Sequence, residues 1–192
     1  MKKTTSYFND LIDSQVIAAI SHKEKITKAI ESDCNVAFLL TGDLIVLPEY
    51  VEQLKRANMY VFVHLDFIEG LANDKSAIEY VAKMVRPTGI ITTKSHLIKW
   101  AKKQNLLTIQ RLFVLDRNAV NKGIAMVRDS DPDAIEILPG IIPKVIKQYL
   151  ASSKLPIIAG GLVDQKAEVY GALEAGVLAV STGEEPLWKM GV

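Results

Sequence analysis

The 192-residue chain contains a single cysteine, Cys34, so no disulfide can form within it. Cys34 lies just before an apolar run and no histidine stands near it in sequence, so it reads as a small buried hydrophobe rather than a nucleophile. The three histidines, His22, His64 and His96, are scattered. Without a cysteine cluster beside them they form no metal constellation. Neither the Rossmann nor the P-loop glycine fingerprint occurs. Long apolar runs are missing too. The basic start, residues 1–6, is not followed by the apolar stretch of a signal peptide, and no later run exceeds strand length. The expectation is therefore a cytoplasmic protein without a membrane span. Excess charge of one sign is also absent: 23 basic and 22 acidic residues leave +1. A globally basic nucleic-acid binder is thereby excluded, though a local basic face is not.

What is present is an ordinary globular balance, 49% hydrophobic and 23% charged, in a chain long enough to bury a core without a covalent or metal staple. No linker or low-complexity stretch divides it, so residues 1–192 are expected to form one domain. Eight short apolar runs, at 16–20, 36–40, 60–65, 89–93, 108–113, 134–138, 156–159 and 177–181, have strand character. Amphipathic stretches at 23–31, 48–56, 75–85, 95–104, 118–128, 143–150 and 164–175 have helical periodicity. Pro48 suits a first helical turn, and Gly176 suits the position just past a helix end.

Strands alternating with helices imply right-handed crossovers and a parallel sheet. Eight units, with no strand polar enough for an exposed edge, favour closure over an open doubly wound sheet. The fold expected is an α/β, compact (β/α)8 TIM-type barrel. At 192 residues the loops must be short, because such barrels typically need about 250 residues. The eighth helix shrinks to a turn around Pro186-Leu187-Trp188.

In this fold ligands bind at the C-terminal strand ends, and phosphates favour the loops after strands seven and eight. There the sequence places Gly160-Gly161 and Ser181-Thr182-Gly183, with Gly140 after strand six. Glycines let the backbone approach an anion, and the hydroxyls of Ser181 and Thr182 add donors. Asp164 is a candidate cap for the next helix. A lone Gly-Gly usually only makes a tight turn; two glycine-bearing turns on adjacent strands point to a phosphate cradle. Other strand ends carry His64, Asp66, Lys94, Arg111 and Glu136, a set suited to the hydroxyls and charge of a small phosphorylated polyol. Each also has a plainer reading. For a lone histidine such as His64 a hydrogen-bonded core position is the better reading, and Asp66 is explained by a turn cap. Arg111 and Glu136, on neighbouring strands, could simply neutralise one another.

Six segments carry a family resemblance: FVHLDFIEGL at 62–71, GIITTKS at 89–95, QRLFVLD at 110–116, PDAIEILPG at 132–140, IAGGL at 158–162 and AVST at 179–182, the last followed by Leu187-Trp188. Over nearly the whole chain the sequence resembles the glycerol-3-phosphate-responsive antiterminators, regulators of bacterial glycerol uptake operons. Gly183 departs from the pattern, standing where another small polar residue is expected. The resemblance implies a regulator and not an enzyme. Its effector would be glycerol 3-phosphate, with no other cofactor, and its target the leader of a nascent messenger RNA.

An RNA partner requires a local basic surface, because phosphate contacts supply most non-specific affinity. Arg86, Lys94, Lys99, Lys102 and Lys103 surround the fourth helix, with Trp100 available for base stacking. The plainer reading is an ordinary solvated helix face. Lys144 and Lys147 form a second basic pair. Short loops point to small adjustments or a change of homo-oligomeric state as the response to ligand. The rival reading is a barrel enzyme on a small phosphorylated substrate, with His64, Asp66 or Glu136 as acid or base and Lys94 as a Schiff-base lysine. A third is a sensor that works through protein partners.

Overall fold

The computed structural model describes residues 8–191, so the basic amino-terminal hexapeptide lies outside the described part. Eight parallel strands close into a barrel in the order β1 to β8, with β8 paired back onto β1. They are β1 Val16–Ile20, β2 Val36–Leu39, β3 Tyr60–His64, β4 Gly89–Thr92, β5 Leu107–Phe113, β6 Ala134–Leu138, β7 Ile157–Gly160 and β8 Ala179–Thr182. The helices between them are α1 Lys25–Ile30, α2 Leu47–Arg56, α3 Lys75–Tyr80, α4 Ser95–Lys103, α5 Arg117–Ser130, α6 Pro143–Ser152 and α7 Lys166–Glu174. After β8 a 3-10 turn, Glu185–Lys189, stands in for the eighth helix, as the chain length requires. No helix among the described residues is long and apolar enough to cross a membrane.

Alternation along each strand sorts its side chains into two cores. The inner one fills the barrel with Ile17, Phe38, Phe62, Ile91, Ile109 and Ile158, and Phe8, Leu11 and Ile12 join it. The outer one lies between strands and helices and takes residues such as Val61, Val63, Ile90 and Ile137. This double burial explains the near-continuous apolar runs. Cys34 is buried, and burial pushes its thiol up to about 11, which makes it unreactive as expected.

Three local expectations need correction. First, β3 stops at His64, and Leu65–Phe67 form a 3-10 turn, so Asp66 is not a strand residue and its direction cannot be read from alternation. Nor does Asp66 cap the helix that follows; Asp74 does, accepting from Ala77 N at 2.8 Å. Second, the helix expected at 75–85 changes to π geometry over Val81–Val85 and ends at Arg86 in the left-handed region. Pro87 follows, and the residue before a proline is disfavoured in the right-handed helical region. Third, the cap of α7 is Gln165 in a capping box, not Asp164. The carboxylate of Glu168 accepts from Asp164 N at 2.7 Å and Gln165 N at 3.0 Å, satisfying donors that open a helix.

Candidate ligand-binding site

The C-terminal mouth of the barrel is polar because the last inward positions of four strands carry polar residues. Arg111 on β5 and Glu136 on β6 are register partners, and Arg111 Nε donates to Glu136 Oε2 at 2.6 Å. Ser181 on β8 donates from Oγ to the other oxygen, Oε1, at 2.7 Å. Arg111 is 6% exposed and Glu136 fully buried. The two charges neutralise one another, as the sequence allowed, yet both line a cavity of about 230 Å³. Removing either would leave the other charged and desolvated.

His64 ends β3 beside them, 1% exposed, and neither ring nitrogen has a hydrogen-bond partner. Burial and the positive charge of Arg111 push it down to about 3, against the opposing pull of Asp66. The imidazole is therefore neutral at physiological pH. It is not the satisfied core histidine that is the commoner case. Its ring packs against Phe67 at 4.6 Å between centroids, and Arg111 Cζ lies 6.0 Å from the same ring.

Asp66 Oδ2 approaches His64 Nδ1 at 3.7 Å, despite the turn that carries it. Its main partners are Lys94 Nζ at 2.6 Å and the backbone N–H of Thr93 at 2.7 Å. Burial raises its titration point, but these two donors outweigh that and hold the carboxyl below its ordinary value. Lys94 Nζ also donates to Asn73 Oδ1 at 2.8 Å. The five residues expected to meet a polyol thus fall at one end of the barrel, joined by Phe67 and Asn73.

The expected phosphate cradle is only partly as read. Gly160 is required by the site itself: a Cβ there would meet Ser181 Oγ at 2.4 Å and Glu136 Oε1 at 2.8 Å. Gly161 turns the chain at φ +72°, followed by Leu162 at φ +58°. Among the described residues, the N–H groups of Leu162, Val163 and Gly183 bond to no protein acceptor, and all three residues line the cavity. Two candidates have other duties. Gly140 donates its N–H to Gly160 O at 2.6 Å, and a Cβ on it would meet Gly160 N at 2.7 Å, so close packing explains this glycine. Thr182 donates its hydroxyl to Val163 O at 2.7 Å and accepts from Glu184 N, so its side chain fastens the loop. Gly183 O accepts from Lys25 Nζ at 2.7 Å. That contact spans 158 positions, and no local signal pointed to it.

The pattern of the glycerol-3-phosphate responsive antiterminators matches residues 16–188. The chain belongs to that family. A glycerol uptake operon antiterminator regulatory protein from Listeria monocytogenes superposes with a TM-score of 0.88 at 34% identity, over 92% of this chain and 95% of its own. An antiterminator-related protein from Thermotoga maritima gives 0.83 at 35%, over 92% and 99%. The uncharacterized protein YgcP of Escherichia coli is 34% identical over 180 residues, 94% of each chain.

The basic face expected on α4 is largely neutralised in the structure. Lys99 pairs with Asp129 at 2.8 Å, and Lys102 with Asp131 at 2.9 Å. Trp100 is half-buried in the outer core, edge-on to His96. Lys94 belongs to the mouth. Arg86 stands at the far end of the π-helix, its Nε donating to Lys83 O. Of that group, Lys103 and Arg86 are exposed without an acidic partner among the described residues. Spacing places a lysine on a helix face but says nothing of the aspartates that the neighbouring helix brings to it.

Proposed function

We propose that this protein is a glycerol-3-phosphate-responsive transcription antiterminator that acts, in the cytoplasm, on the leader messenger RNA of glycerol-utilisation operons. The observation that carries the ligand half is the mouth cavity. On one side it has free backbone N–H groups at Leu162, Val163 and Gly183; on the other, the guanidinium of Arg111 anchored by Glu136. An anion is favoured by such fixed donors and a held cation. The polyol end then meets His64 and the Asp66–Lys94 pair. A three-carbon phosphorylated polyol satisfies the unpartnered imidazole, which costs stability when empty.

The reading as a regulator is supported by family membership and by the state of the polar groups. The carboxylates of Asp66 and Glu136 and the amine of Lys94 each engage partners within the protein, and His64 stays neutral. The site holds its ligand by complementarity, and binding biases the protein toward its RNA-competent state. Calorimetry with glycerol 3-phosphate, followed by a leader-RNA mobility shift with and without it, tests this. Ligand-dependent retention of the RNA is the expected result. Turnover of the ligand would establish an enzyme instead, and ligand binding without RNA retention would establish a sensor acting through protein partners.

A further inference from the structure

The mouth face between β5 and β7 combines positive charge and exposed apolar side chains in a way the ligand site does not use. Helices α5, α6 and α7 each open with a cation in the first turn: Arg117, Lys144 and Lys166. A cation there opposes the helix dipole. None of the three has an acidic partner within 4 Å among the described residues, and α5 and α6 carry no acid in their first turns. The nearest acids in sequence are Asp116, Asp164 and Glu168, of which Asp116 and Glu168 cap backbone N–H groups. Helix α6 carries Lys144 and Lys147 and no acid, so the excess of positive charge lies on its side of the rim.

Between these cations stand Phe113, 54% exposed, Leu115, 89% exposed, and Leu162, 65% exposed. A groove of about 230 Å³ runs between α5 and α6, lined by Leu115, Arg117, Ile142 and Lys144 among others. Cations beside an exposed aromatic ring suit single-stranded nucleic acid, whose phosphates need charge and whose bases need a flat apolar face. A second copy of this chain fits poorly. A two-fold contact would set this cation-bearing patch against a second copy of the same patch.

Resting on the antitermination reading above, we infer that the leader RNA docks on this mouth face, over Arg117, Lys144, Lys166 and Phe113, and not on α4. The geometry also supplies a route for ligand control. Arg111, in the ligand cavity, and Phe113, on the rim, are two residues apart on β5 and share one side of the strand. A phosphate that draws on Arg111 acts directly on the strand end that presents the ring.

The test compares the wild type with the variant R117E/K144E/K166E and the α4 variant K99E/K102E/K103E, using a fluorescein-labelled leader transcript at saturating glycerol 3-phosphate. The mouth variant should lose at least tenfold in RNA affinity, on the order of three phosphate contacts. The salt dependence of log Kobs should become shallower by about 2, at roughly 0.7 per contact on single strands. The α4 variant should stay within about twofold of wild type. Ultraviolet cross-linking of wild-type protein should map the RNA to peptides containing Phe113–Arg117 and Lys144, a measurement that does not depend on any variant folding. Retained affinity in the mouth variant, or cross-links confined to 95–104, overturns the surface while leaving the RNA reading intact. Failure of the wild type to bind RNA at all overturns both.

Discussion

Replacing His64 by leucine should make the protein more resistant to acid. In the folded protein the imidazole is neutral down to about 3, against 6.5 for the free side chain. Between those values the unfolded chain binds a proton that the folded chain refuses, so acidification favours unfolding. Stability from this group is full above about pH 6.5 and is lost progressively below it. With one proton at stake, the loss between pH 7 and pH 5 is about 2 kcal/mol. The figure is set by the free imidazole, because the folded ring is unprotonated at both pH values. Groups facing the ring are Asp66 from the turn, Lys94 from the start of α4 and Arg111 from β5. Arg111 and Lys94 oppose protonation, and Asp66 at 3.7 Å favours it too weakly to reverse the sign. Urea unfolding followed by tryptophan fluorescence at pH 7, 6 and 5 gives the test, with unchanged m values as the control. The wild type should lose about 2 kcal/mol more than His64→Leu over that interval. At pH 7 the variant should be at least as stable as wild type, because two unpartnered ring nitrogens leave the interior. Parallel pH curves for the two proteins would refute the reasoning.

Arg111→Met should destabilise the protein by about 3–5 kcal/mol in the same assay, since it strands the buried carboxylate of Glu136. The double variant R111M/E136Q should recover much of that loss while still failing to bind glycerol 3-phosphate in calorimetry. Gly160→Ala should weaken ligand binding at least tenfold, because its Cβ displaces Ser181 Oγ and Glu136 Oε1. Gly183→Ala, whose Cβ would meet Ala19 O at an ordinary contact distance of 3.8 Å, should retain binding within a few-fold of wild type. Trp188→Ala should cost about 3–5 kcal/mol, because it empties a fully buried indole and removes its hydrogen bond to Thr182 O. Thermal melts of that variant should fall well below wild type.

Strand and helix order were legible because both leave periodic marks in the chain. All eight strands lie within two or three residues of their expected bounds, and β1 and β6 coincide with them. Where strand periodicity broke, at the turn after His64, the direction of Asp66 was no longer readable. Capping likewise turned on Glu168, four residues beyond the Asp164 that the strand end singled out. Arg111 and Glu136 were readable as partners because parallel neighbours at matching heights must face each other.

By itself the sequence determined the barrel, its mouth and the residue types gathered there, since each follows from alternation and from the order of strands. It also determined the family, through long runs that survive without any coordinates. Only the tertiary structure decided what each mouth residue is free to do. Gly140 turned out to serve packing and Thr182 a loop contact, while His64 was left without a partner. The same holds for charge. Lys99 and Lys102 looked like a basic face until α5 placed aspartates against them, whereas Arg117, Lys144 and Lys166, dispersed along the chain, were brought to one rim by closure of the barrel. A charge count is a property of the chain, but neutralisation depends on distances of a few ångströms between segments that only folding brings together.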